Sequence, residues 1–149
     1  MKINERQKII CGFPGTGKTY FKGYVEGSCY APQGYCEDSD SSYFDKNNFP
    51  QNYIDHIEDL IKKGTNIIFI STHQEVRDEL VKRGISFYLV YPKKELKEEY
   101  IQRYIERGSQ DAFINLMRKN WNNFIEQLEN QEKCIHVVLD SKEYMYNKF

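Results

Sequence analysis

Apolar residues along the chain follow two rhythms. Short unbroken runs end or start at turn formers: Lys8 to Cys11, 66–70 (Asn-Ile-Ile-Phe-Ile), 87–90 (Phe-Tyr-Leu-Val) and 135–139 (Ile-His-Val-Val-Leu). The run at 66–70 is expected for a strand buried on both faces, those at 8–11 and 87–90 for further buried strands, and 135–139 for a last strand. Between them, apolar residues return every three or four positions, which is the rhythm of a helix with one buried face. Tyr53, Ile54, Ile57, Leu60 and Ile61 mark such a helix over 52–63, closed by Gly64. A second is predicted from His73 to Arg83, capped by Ser71 or Thr72 and ended by Gly84. Pro92 fits the first turn of a third, running to about Arg107. Gly108-Ser109 breaks it, and Ser109 can cap a long helix with the stripe Phe113, Met117, Trp121, Phe124 and Leu128, with Ile114 and Ile125 beside it.

The remaining segments are shorter. A helix should begin at Lys18, with Tyr20, Phe21 and Tyr24 as its apolar positions. Residues 27–34 are rich in Gly, Pro and Ser and read as a connection. Tyr35-Cys36 reads as a short strand that ends among Glu37, Asp38, Ser39, Asp40, Ser41 and Ser42. A tail over 142–149 has helical character. Five short strands alternating with helices predict an α/β fold, a five-stranded parallel sheet covered on both faces.

Bulk properties narrow the function classes. The 149 residues suggest one domain over 1–149. The net charge is −1, which gives no electrostatic footing for nucleic acid or an acidic membrane. No run approaches the roughly 20 apolar residues of a membrane span, and the N-terminus lacks an apolar leader. Cysteines stand at 11, 29, 36 and 134 without C-x-x-C or zinc spacing. Cys11 and Cys134 read as small buried hydrophobes. Together these features predict a protein of a reducing cytoplasm.

The chemistry concentrates at Gly12-Phe13-Pro14-Gly15-Thr16-Gly17-Lys18-Thr19, a full match to G-x-x-x-x-G-K-[ST] between a strand and a helix. Glycines let backbone N–H groups turn inward around phosphates with no Cβ in the way. The helix N-terminus adds its positive end. Lys18 reaches the β- and γ-phosphates, and the Thr19 hydroxyl is a ligand for Mg²⁺. The reading is therefore a site for a nucleoside triphosphate, with ATP and Mg²⁺ as cofactors. The extra Gly15 gives the loop a spacing similar to adenylate kinase and shikimate kinase rather than to helicases or transport ATPases.

Other candidates lie where strands should end. Asp38 and Asp40 can divide two tasks, one holding a metal-bound water and the other orienting or deprotonating an acceptor. Ser41 and Ser42 can donate to an acceptor phosphate. The third strand ends in Ser71-Thr72-His73 and lacks the acid that motor ATPases carry there, which places more weight on the two aspartates. His73 and Arg77 share a helix face, with Arg77 suited to an acceptor phosphate and His73 to acceptor contact. Arg103 and Arg107, also four apart, are placed to neutralise charge on a transferring phosphoryl group.

These segments, with 89–92 (Leu-Val-Tyr-Pro) and 103–113, span most of the chain. As a set they resemble small P-loop nucleotide-kinase-like proteins of tailed phages and prophages. The resemblance implies a three-layer α/β/α fold of sheet order 2-3-1-4-5, with a reduced lid at about 93–112 supplied by Arg103 and Arg107. It further implies that Asp38 helps bind Mg²⁺ while Asp40 faces the acceptor, in the bacterial host's cytosol. The expected activity is transfer of the γ-phosphoryl group to a small acceptor, foremost a (deoxy)nucleoside monophosphate. The alternatives are a nucleotide hydrolase, a non-catalytic nucleotide-binding phage interaction protein and a polynucleotide 5′-kinase.

Overall fold

The computed structural model describes residues 6–26, 35–39 and 44–149. The connection predicted over 27–34 and the candidates Asp40, Ser41 and Ser42 lie outside the described residues. The apolar runs form strands β1 (Lys8–Gly12), β2 (Cys36–Asp38), β3 (Ile67–Ile70), β4 (Tyr88–Pro92) and β5 (Ile135–Leu139). All pair in parallel, in the order β2-β3-β1-β4-β5. The helices are α1 (Lys18–Glu26), α2 (Gln51–Lys62), α3 (Gln74–Lys82), α4 (Lys97–Glu106) and α5 (Asp111–Glu129).

The order follows from how the chain crosses the sheet. From β1 it moves one way to β2; every later crossover moves the other way. Right-handed crossovers then put α1 on one face and the other helices on the opposite face. Two cores agree with this. One packs α2, α3, α4 and α5 residues, among them Tyr53, Leu80, Tyr100 and Trp121, on Ile9, Cys11, Ile68 and Leu89. The other packs Phe21 of α1 and Met145 of the tail on Ile10, Phe69 and Val90. The change of direction lies beside β1, so a crevice opens at the carboxyl ends of β1 and β3.

Several local expectations are corrected. The inward residues of α1 are Phe21 and the partly buried Val25; Tyr20 and Tyr24 are 60% and 68% exposed. Neither Ser71 nor Thr72 caps α3, because His73 holds the N-cap position without a side-chain bond. Ser71 Oγ instead meets His73 Nδ1 at 2.9 Å. Ser109 does not cap α5 either: Gln110 takes that position, and Ser109 Oγ accepts from Arg107 Nε at 2.8 Å. Pro92 ends β4 opposite Leu139 rather than opening a helix. The ladder continues past it through Lys93 N–H to the Leu139 carbonyl, 3.0 Å, and a 3-10 turn at Lys94–Leu96 leads into α4. Cys134 is only partly buried. The tail forms a 3-10 turn at Met145–Asn147. Among the described residues, no helix is long and apolar enough to cross a membrane.

Candidate functional site

Residues 13–17 leave β1 and turn sharply into α1, with Gly15 and Gly17 at φ 87° and 92°. That region is open to glycine and strained for other residues. Each carbonyl of the turn has a donor. Phe13 C=O accepts from Thr16 Oγ1 at 2.7 Å and from Thr16 N–H at 3.2 Å. Pro14 C=O accepts from the Tyr104 hydroxyl at 2.7 Å. Gly15 C=O accepts from Arg103 Nη1 at 2.8 Å. Thr16 C=O accepts from Met145 N–H at 2.8 Å, and Gly17 C=O from Phe21 N–H at 2.9 Å. With the carbonyls drawn to these partners, the N–H groups of Gly15, Gly17 and Lys18 have no acceptor among the described residues. Successive free N–H groups at a helix N-terminus make an anion-binding concavity.

Two elements clamp the turn. From α4, Tyr100 and Tyr104 are fully buried against it. Burial pushes the Tyr104 hydroxyl well above its usual pKa, so it remains a donor to Pro14. The guanidinium of Arg103 lies 4.3 Å from the Tyr100 ring centre and 4.0 Å from that of Tyr144. Its Nη2 meets Glu99 at 3.1 Å and the Glu143 carbonyl at 3.2 Å. The second element is the stretch after β5. Ser141 Oγ and Lys142 N–H both donate to Glu99, at 2.6 and 3.0 Å. The Tyr144 ring packs so closely on Gly17 that a Cβ there would sit 2.9 Å from Cδ1. Arg103, read from the sequence as a cation for the transferring group, is thus held as a brace for the loop.

A cleft of about 870 Å³ opens over the loop, lined by Gly12 to Tyr20, Ser71, Thr72, His73, Arg103, Glu106, Arg107 and Tyr144. Lys18 Nζ lies 3.3 Å from Asp38 Oδ1 at the end of β2. Thr19 is exposed at the start of α1. Next to Asp38, the Ser39 hydroxyl is buried and has no hydrogen-bond partner among the described residues. Arg107 is exposed at the rim, over the rings of Tyr104 and Phe113 at 4.9 and 5.5 Å.

Of the residues predicted from sequence, Gly12 to Thr19, His73, Arg103 and Arg107 therefore share one cleft, and Asp38 reaches it through Lys18. Arg77 does not line it. Its Nε donates to the Thr72 carbonyl at 2.9 Å and its Nη1 to Gln131 Oε1 at 2.6 Å, in an adjoining pocket. Sequence reasoning missed Tyr104 and the Met145 N–H as partners of the loop, whereas the i,i+4 spacing of Glu99 and Arg103 does make a pair. The apolar spacing of Tyr100 and Tyr104 was a signal for burial, but nothing local pointed to the carbonyls they serve.

The donor set can be tested against Mg²⁺. Among the described residues, no group of three or more His, Cys, Asp or Glu is placed to hold a metal. Mg²⁺ at nucleotide sites keeps several waters and takes one or two protein oxygens plus substrate phosphates. The Thr19 hydroxyl and the Asp38 carboxylate suit that kind of site. No known protein family, curated protein or solved structure matches this chain.

Proposed function

We propose that the chain is a P-loop phosphotransferase that moves the γ-phosphoryl group of ATP to a small acceptor, with a (deoxy)nucleoside monophosphate as the first class to test. The observation that carries the reading is that each carbonyl of 13–17 has a donor while the N–H groups of Gly15, Gly17 and Lys18 have no acceptor among the described residues, which leaves them for phosphate oxygens. The sheet order 2-3-1-4-5 supports it, since the loop then sits at the crevice where open α/β sheets bind ligands.

In this reading the backbone of 15–19 and Lys18 hold the β- and γ-phosphates. Lys18 would leave Asp38 for the nucleotide, freeing that carboxylate. Thr19 and Asp38 would hold Mg²⁺, whose role when bound is to neutralise phosphate charge. Arg103 keeps the loop in its binding shape. Arg107, exposed at the cleft mouth, is the cation available to close over the transferring group. His73, lining the cleft beside Ser71, contacts the acceptor, and Asp40, Ser41 and Ser42, which lie outside the described residues, remain candidates for the same task. The cleft would take the triphosphate, and the acceptor enters beyond β3.

The test is ADP release across a panel of nucleoside monophosphates and other hydroxyl acceptors. A rise with one acceptor, lost in Lys18→Ala, is expected. Phosphate release in water at the same rate with or without acceptors would make the chain a hydrolase. Nucleotide binding without turnover would make it a binding protein.

A further inference from the structure

Beside the phosphate cleft lies a second pocket of about 210 Å³, between the N-terminal end of α3, the middle of α5 and the Phe13–Pro14 turn. At about 30 Å³ per water it has room for roughly seven waters, the bulk of a single substituted ring. Phe13, Pro14, Met117, Phe124 and Leu128 make its walls apolar. Arg77 lines it and is only 4% exposed.

The surroundings of Arg77 are one-sided. Both bonds of its guanidinium go to neutral oxygens, Thr72 C=O and Gln131 Oε1. No carboxylate lies within ion-pair distance of it among the described residues. The bridged arginines are neutralised: Arg83 by Asp55, Glu58 and Glu79, Arg103 by Glu99, and Arg118 by Glu98. Arg77 also lines a neighbouring polar hollow, together with Gln131, Asp78, Glu132 and Lys133, and Asp78 acts on it there by charge without a direct bond. A buried cation with only neutral partners is costly, and an anion beside it would offset that cost. The first turn of α3 adds to this, because His73 provides no side-chain cap for its N–H groups.

We propose that this pocket binds a small organic anion, a carboxylate or phosphate head held by Arg77 on an apolar body of about one ring. Phe13, Pro14, Thr72 and His73 line both this pocket and the phosphate cleft, so its occupant lies next to the loop. As the acceptor's site the pocket rests on the phosphotransfer reading; as a binding site it does not.

Phenyl phosphate is the probe, followed by calorimetry and by the methyl resonances of Met117 and Leu128 in the full chain. Both methyls should shift, in the wild type and equally in Lys18→Ala. Inorganic phosphate and benzyl alcohol should bind at least about tenfold more weakly, and Arg77→Gln should weaken phenyl phosphate by a similar factor. If Arg77→Gln fails to fold, Phe124→Ala on the partly exposed wall should weaken binding about fivefold. Unmoved methyls at millimolar probe overturn the proposal. So do benzyl alcohol binding as tightly as phenyl phosphate, shifts that vanish in Lys18→Ala, and unchanged affinity in both pocket variants. A failure of phosphotransfer shows separately, as absent ADP release with the methyl shifts intact.

Discussion

The guanidinium of Arg103 stands 4.0 Å over the ring of Tyr144, tying α4 to the stretch after β5 across the top of the phosphate loop. The same guanidinium reaches the Gly15 carbonyl. A contact between two elements far apart in sequence therefore sets the shape of a turn that belongs to neither.

Tyr144→Ala should remove one face of that stack. Such cation–π contacts contribute about 0.5–1 kcal/mol at partly exposed sites. Denaturant titration should show a loss of that order, and calorimetry a weaker ATP affinity. Tyr144→Phe keeps the ring and should retain most of both. Equal effects of the two variants would remove the ring from the explanation.

Gly17→Ala and Gly12→Ala should separate cleanly. Gly17 has φ 92° and a Cβ would meet the Tyr144 ring. Strain at such a position costs on the order of 1–3 kcal/mol, and nucleotide binding should be lost. At Gly12 the nearest atom, 2.8 Å away, is the Met145 Cε at the end of a flexible side chain. That variant should keep measurable nucleotide affinity. A double variant with Tyr144→Ala should not restore Gly17→Ala, because the φ strain remains.

Asp38→Asn tests the carboxylate at the end of β2. The pair with Lys18 is partly exposed, so unfolding free energy should change by less than about 1 kcal/mol. The Mg²⁺ concentration needed for half-maximal ADP release should rise at least about tenfold. An unchanged Mg²⁺ requirement would leave Asp38 only the role of holding Lys18.

Glu99 gives the clamp a pH dependence. Burial works to raise its pKa, but the bonds from Ser141 and Lys142 and the charge of Arg103 outweigh that and hold it below the ordinary 4.5. A carboxylate depressed in the folded state contributes stability above its unfolded value, which is lost as pH falls through the folded value. Melting temperature should therefore drop below about pH 4.5. Glu99→Gln should melt lower at neutral pH and show a shallower acid limb. Parallel acid limbs in the two proteins would exclude Glu99.

Most of the sheet and the loop were legible because their signals are local. The runs at 8–11, 66–70 and 87–90 have no other place than a covered sheet, and the stripe of α2 is buried at all five predicted positions. The failures share a cause. The caps assigned to Ser71, Thr72 and Ser109 were sound by propensity, but side-chain neighbours took the hydroxyls of Ser71 and Ser109, and His73 rather than Thr72 stands at the N-cap of α3. Tyr20 and Tyr24 have helical spacing, yet α1 covers the sheet with Phe21 alone among its aromatics. Arg77 was legible as a cation near the carboxyl edge. Its distance from the phosphate cleft depends on the turn after α5, which arrives some fifty residues later and offers Gln131.

The bond from Met145 N–H to the Thr16 carbonyl also bears on synthesis. Domains emerge from the ribosome N-terminus first. The motif over 12–19 is made well before residue 145, but its backbone bonding is complete only after residue 145 has been added. A nascent chain halted before β5 would carry the entire phosphate-binding sequence and its α4 partners, but lack the Tyr144 and Met145 contacts that complete the clamp. Nucleotide capture should thus require a chain that extends past residue 145.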